Sequence, residues 1–309
     1  MKWFRFRREK RYQVLGDEED FLLVTWDSCR YDAFCQARTS RLDEFGPARC
    51  AWSMATYTLP AHVAMFQGFL PHVHAAEPFY NRYCQQLWRI SHRHVATRPL
   101  VTFPTRSGGV VAGFRGRGYF TAGSGAMEWF RDAPVLRHGF EQFQHAGTAA
   151  RKQNEWLAWA VAKKSRGRPC FLFVNYGETH SPFRHEGMPE DPALDQRFSK
   201  RRLFNQSGVL RQDWHFDREG FARQVACAEF LDARTGELID LLRQRGRPTT
   251  VVVCGDHGEC FGEHGMYGHG FYHEKVMQVP MLIFRLNAPP HALPEPAPAV
   301  AAAPHRTAA

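Results

Sequence analysis

The stretch VVVCGDHGECFGEHGMYGHG, residues 251–270, runs from a β-branched apolar segment straight into a series of ligand-type side chains. Val251 to Val253 read as a buried strand. Asp256 and His257 stand where that strand must end, and neighbouring side chains at a strand's end can splay toward one ion. A carboxylate beside an imidazole suits Zn2+ or Mn2+. A solvated turn would explain an isolated Asp-His pair, but Gly255 and Gly258 on either side allow close backbone approach and argue for a built site.

Two more segments share this form. DFLLVTWDSCRYD (20–32) reads as a strand ending in Asp27, and CFLFVNYGETHSPF (170–183) as a strand ending near His180. VPMLIFRL (279–286) reads as a fourth strand. Helices fall between them. NEWLAWAVAKK (154–164) is one, and Phe221, Val225, Ala228, Leu231, Leu238 and Leu242 keep helical spacing along another that ends near Gly246. Strands alternating with helices predict an α/β fold with a mostly parallel central sheet and helices on both faces. Ligands of such sheets bind beyond the carboxyl ends of the strands, where Asp27, His180, Asp256 and His257 all fall.

The reacting group is then a hydroxyl near the metal. ATYTLPAHVAMFQG (55–68) enters a helix with Pro60 in its first turn, and offers Thr56 and Thr58. A threonine hydroxyl is a weak nucleophile at its ordinary pKa, and metal coordination would activate it. Amides at a helix start favour an anion. A plain helix-capping role is the competing reading of Thr58.

Composition bounds the rest. The 309 residues suit one large domain or two small ones, and 44% hydrophobic with 23% charged residues is ordinary for a globular chain. No apolar run reaches the roughly 18 residues of a membrane span, and the basic start MKWFRFRREKRYQ lacks the apolar core of a signal peptide. Eight cysteines without CxxC spacing predict reduced thiols and a cytoplasmic location, with Cys170 buried in its strand. The net charge of +9 is dispersed, so no nucleic-acid partner is expected; the basic-aromatic start offers at most weak peripheral membrane contact. Oligomeric state is not legible. Three segments are expected: a basic 1–19, a catalytic domain over 20–287 with a polar excursion or lid at 184–220, and a disordered Ala/Pro tail at 288–309.

Together VTWDSCRYDA, TLPAH with FQGFLPHVH, FVNYGETHSPF and CGDHGECFGEHGMYGHG, in that order over residues 20–286, resemble the alkaline phosphatase superfamily in its sulfatase-like branch. The resemblance implies a fold without a large C-terminal subdomain and one divalent metal, Zn2+ or Mn2+ first and Ca2+ or Mg2+ as alternatives, held by Asp27, Thr58, Asp256 and His257. It implies Thr58 as nucleophile, with His180 and His269 contacting the substrate or leaving group, and His62 supporting the nucleophile. Glu259, Glu263 and His264 would shape the loop; His72, His74 and His273 carry no assignment. Sulfatases of this branch carry Cys or Ser where Thr58 stands and Arg where His62 stands, so the formylglycine route is not available here. A second metal is not expected, because its Asp-x-x-x-His spacing from His180 lands on Tyr176. The resemblance therefore implies hydrolysis or transfer of phosphate esters through a phosphothreonine-type intermediate, with a small phosphorylated or sulfated substrate. A sulfate- or phosphonate-ester hydrolase of the same fold and a non-catalytic anion binder are the alternatives.

Overall fold

The computed structural model describes residues 19–68, 109–193, 195–196 and 215–288, with the backbone of 88–89 and 101–102. Expectations for the basic start, for His72 and His74, for most of 75–108, for the basic part of the excursion and for the Ala/Pro tail lie outside the described residues. In chain order the elements are β1 (Asp20–Trp26), α1 (Tyr31–Gln36), β2 (Arg49–Trp52), α2 (Thr58–Gln67), the two-residue strands β3 (Trp88–Arg89) and β4 (Val101–Thr102), and α3 (Val110–Gly116). Next come β5 (Phe120–Gly125), α4 (Trp129–Asp132), β6 (Gln142–His145), α5 (Ala150–Lys164), β7 (Cys170–Tyr176) and α6 (Arg218–Arg245). The chain continues through β8 (Thr249–Gly255), β9 (Cys260–Phe261), β10 (Tyr267–Gly268), α7 (Glu274–Met277) and β11 (Gln278–Leu286).

Seven strands form the central sheet in the order β2-β11-β8-β1-β7-β5-β6. Five of them, β8, β1, β7, β5 and β6, are mutually parallel, as the strand-helix alternation predicts. The fourth expected strand, β11, runs antiparallel to β8 and to β2. Hydrophobic pattern carries no direction. The connection from β8 to β11 holds the β9-β10 ribbon and short turns of helix, with no crossover helix of the kind that joins parallel strands. The four-residue strands β2 and β6 were too short and too polar for the sequence to announce.

Period-2 alternation divides the core. Leu22, Val24 and Trp26 on β1 and Leu172 and Val174 on β7 pack with Leu157, Leu231, Leu238 and Ile239 of α5 and α6. The opposite face of β7, Phe171 and Phe173, packs with Val63 and Phe66 of α2, Val111 of α3, Phe130 and Phe140. Much of the chain's phenylalanine resides here, with Phe66 and Phe173 meeting edge-to-face at 5.0 Å. Helix α6 begins at Asp217, whose carboxylate accepts the Gly220 N–H at 3.1 Å, and stops at Gly246 in a left-handed conformation. No helix among the described residues is long and apolar enough to cross a membrane. The described cysteines are all unpaired, and Cys170 is buried as expected.

Because the sheet and α6 share one core, truncating Leu231 (0% exposed) to Ala should lower unfolding stability by about 2–5 kcal/mol. Urea denaturation checks this, and a loss under about 1 kcal/mol would show that α6 does not pack where described.

Candidate active site

The strand register builds the site. Trp26 lies level with Tyr176 on one side and with Gly255 on the other. The next residue of β1 and of β8 is therefore Asp27 and Asp256, at one height and on adjacent strands. Thr58 arrives from the other direction as the first residue of α2. The extended Tyr57 precedes it, and no side chain caps the helix, so Thr58 is not spent as a cap. Its Oγ1, at a residue only 2% exposed, lies 3.4 Å from Asp27 Oδ1 and 3.4 Å from His257 Nε2. Asp27, Asp256 and His257 each offer one ligand atom within 4.8 Å of the others. The residues expected to hold a metal are thus brought together.

The donor set fits a divalent cation. Asp27 and Asp256 are both fully buried, and burial pushes each carboxyl up to about 7; the neighbouring Asp256 charge adds to the effect on Asp27. Asp256 Oδ1 accepts the Ser28 N–H at 3.1 Å and the His257 N–H at 2.9 Å, while its buried Oδ2 has no hydrogen-bond partner. Asp27 Oδ2 accepts from Asn175 Nδ2 at 3.1 Å. His257 places Nδ1 2.9 Å from the Gly258 carbonyl, so Nδ1 carries the proton and Nε2 presents a lone pair to the cluster. Burial holds this imidazole down at about 4, hence neutral near pH 7. Two adjacent buried carboxylates, with one oxygen of Asp256 lacking a donor, and a neutral imidazole form a set whose charge a dication would balance.

The flanking glycines are required by space. A Cβ on Gly258 would sit 2.1 Å from the Lys275 carbonyl oxygen, and one on Gly255 would meet the Cys29 carbonyl at 2.8 Å. No side chain could replace them without moving backbone, so the Asp-His pair owes its position to these two residues.

His62 braces the turn that carries Thr58. One turn along α2, its Nδ1 donates to the Thr58 carbonyl at 2.8 Å, and its Nε2 accepts from Thr25 Oγ1 at 2.9 Å. Phe130 and Phe173 pack edge-on against it, and burial drives its pKa down to about 3. It is a neutral post, not an acid.

His180 and His269 also converge on the cluster. Their rings lie 5.1 Å apart, and His269 stands 4.4 Å from the His257 ring. His180 Nδ1 donates to the Ser181 carbonyl at 2.8 Å. His269 Nδ1 lies 2.9 Å from Glu259 Oε2, and Glu259 is fully buried. Glu259 is therefore more than the loop-shaping residue expected: its carboxylate orients His269, a role that ten residues of separation do not signal. Glu263 does shape the loop, through Arg30 Nη1 and the Phe261 N–H. His264 Nδ1 and His273 Nε2 meet at 3.0 Å, and His273 Nδ1 accepts the Lys275 N–H at 3.1 Å.

Glu178 is a further buried group that sequence reasoning left aside. Its Oε1 accepts the Ala150 N–H at 2.8 Å, tying the loop before His180 to the start of α5. Burial raises its carboxyl from 4.5 to about 7. The folded state therefore holds a proton that the unfolded chain gives up, so this group's contribution is intact below pH 4.5 and is lost as pH rises through 7. Glu178→Gln keeps an acceptor for Ala150 and removes the titration. Between pH 5 and pH 8 the variant should gain roughly 1–3 kcal/mol relative to the wild type, read from urea unfolding at both pH values. An unchanged difference would show that Glu178 titrates normally.

Comparison with known proteins bears on the fold. A likeness in fold extends to the C-terminal periplasmic domain of phosphoethanolamine transferase EptC from Campylobacter jejuni, at 14% identity and TM-score 0.57, covering 87% of this chain and 80% of that one. The corresponding EptC domain from Escherichia coli, described in complex with Zn, matches at 11% identity and TM-score 0.54 over 87% of this chain and 73% of that one. A Bacteroides thetaiotaomicron structure, described with the metabolism of multiple glycosaminoglycans, matches at 16% identity and TM-score 0.58 over 86% of this chain and 67% of that one. Comparison with curated proteins found no match. The Sulfatase family model matches residues 49–301, most of the chain, and the chain belongs to that family.

Proposed function

We propose that the chain is a metal-dependent hydrolase or transferase of phosphate esters with Thr58 as its nucleophile. The observation that carries this reading is the Thr58 hydroxyl, buried and within 3.4 Å of both Asp27 and His257 at the start of a helix. A divalent metal held by Asp27, Asp256, His257 and Thr58 would lower the hydroxyl's pKa and offset negative charge on the substrate. Thr58 Oγ1 then attacks phosphorus in line, forming an O–P bond as the bond to the leaving oxygen breaks. His180 or His269 supplies the proton to that oxygen. The uncapped amides at the start of α2 would offset the added charge. Water or an acceptor alcohol next attacks the phosphothreonine and restores the Thr58 hydroxyl.

Zn2+ or Mn2+ is the proposed ion, a single one; the E. coli EptC domain described with Zn is in keeping with this. The substrate is a small phosphorylated ester, bound at a catalytic unit spanning 20–287. Neighbours that are phosphoethanolamine transferase domains support the transferase option. Membership of the Sulfatase family favours sulfate esters as the second reading. The cytoplasmic location expected from unpaired thiols gains nothing from these neighbours, two of which are periplasmic domains.

The test is a panel of aryl phosphate monoester, phosphodiester and sulfate ester, run with and without EDTA. Phosphate-ester turnover should vanish with EDTA and return with Zn2+ or Mn2+. Thr58→Ala should lose on the order of 10^3-fold or more in kcat with the fold intact by circular dichroism, and Thr58→Ser should keep part of it. Turnover retained in Thr58→Ala, or turnover indifferent to chelation, would overturn the mechanism; sulfate turnover without phosphate turnover would favour the second reading.

A further inference from the structure

Beyond the last ladder bond between β1 and β7, Asp27 N–H to the Tyr176 carbonyl at 2.9 Å, the two chains leave the sheet as loops. One carries Asp27 and Ser28, the other Thr179 and His180. Gln224, in the second turn of α6 and fully buried, sits between them. Its Nε2 donates to the Ser28 carbonyl at 2.9 Å and to the Thr179 carbonyl at 2.9 Å. Its Oε1 faces the Arg30 N–H at 3.4 Å. One amide thus meets three backbone groups of the two loops.

Ser28 makes this contact consequential. It is held at φ +61°, a left-handed conformation that costs a non-glycine residue energy and persists only where neighbours impose it. Its N–H donates to Asp256 Oδ1, while its carbonyl accepts from Gln224. Gln224 therefore acts on Asp256 through the Ser28 residue, on Asp27 through its chain neighbour, and on His180 through Thr179. Thr179 Oγ1 also donates to the Asp27 carbonyl at 2.7 Å, and the Arg30 guanidinium reaches the Glu259 carbonyl at 3.3 Å, so the third loop joins the same assembly.

We propose that Gln224 is a positioning residue that fixes Asp27 and Asp256 relative to His180 by holding the Ser28 and Thr179 carbonyls on α6. Only an amide of this length offers two donors and one acceptor from a single helical position. A carboxylate would set negative charge against two carbonyl oxygens, and a thioether would leave all three groups without a partner. The proposal rests on the metal-dependent reading of the site.

The test compares Gln224→Met with Asp232→Ala. Asp232 lies two turns further along α6, is buried, and accepts the Arg41 and Leu42 N–H groups at 2.9 and 3.0 Å, holding a loop that bears no site residue. Both variants lose buried hydrogen bonds from one helix. Zn2+ affinity of the metal-free protein is read by competition with a chromogenic chelator, and kcat and KM on an ester that the wild type turns over. Gln224→Met should bind Zn2+ and turn over substrate about 10–100-fold less well, with the turnover loss in kcat rather than KM. Asp232→Ala should lose thermal stability but keep both. Should Gln224→Met fail to fold, Gln224→Asn, with the same amide one methylene shorter, is read in the same way. Equal losses in the Gln224 and Asp232 variants, or Gln224 variants with wild-type affinity and kcat, would overturn the assignment. A wild-type chain that neither binds Zn2+ nor turns over an ester would instead overturn the metal reading, and this inference with it.

Discussion

Two carboxylates buried side by side constrain everything around them. Asp27 and Asp256 have no exposure to water, and burying a charged carboxylate without compensation is among the costliest acts in folding. The fold meets that cost in pieces. Ser28 and His257 backbone N–H groups serve Asp256, and the Asn175 amide serves Asp27. What remains is the Asp256 Oδ2 atom, with no donor, and two carboxyls raised toward neutrality. A protein built for stability alone would not keep such a pair. The residual imbalance makes sense as a binding potential reserved for a cation.

The register of the sheet is what allows this. Three parallel strands ending level place their following residues in one plane, and parallel strands with helices on both faces keep that plane away from solvent. The cluster needs Thr58 from outside the sheet, and α2 supplies it with the hydroxyl leading. Neutral His62, wedged among aromatic rings, bonds the Thr58 carbonyl and so fixes the start of the helix without adding charge beside the site.

How far the sequence foretells this depends on what each feature relies on. Asp27, Asp256, His257 and Thr58 were legible because strand ends, paired glycines and a helix start each leave a local trace. The parallel core was legible for the same reason: valine-rich runs alternate with helical spacing. The direction of β11 was not, since pattern holds no direction, and β2 and β6 were not, since four polar-flanked residues give too little period to read. Glu259 and Gln224 escaped for a different reason. Each acts across a gap in the chain, Glu259 on His269 and Gln224 on Ser28, 196 positions earlier, and on Thr179, 45 earlier, and a buried polar residue looks like any other until its partners are seen.

That last case shows how one helix can serve two purposes. The middle and end of α6 are core: Leu231, Leu238 and Leu242 anchor it against the sheet. Its first two turns are polar on the inner side, where Arg223 pairs with Asp195 of the excursion and Phe221 lies under the Arg30 guanidinium. Gln224 sits between these contacts. A rigid rod anchored at one end transmits position to the other with little loss, so the catalytic loops take their spacing from a core many residues away. The same rod is touched by the excursion through Asp195, which also lies 3.6 Å from Arg184, just beyond His180. Asp195 thus ties the segment just after His180 to the same helix that carries Gln224.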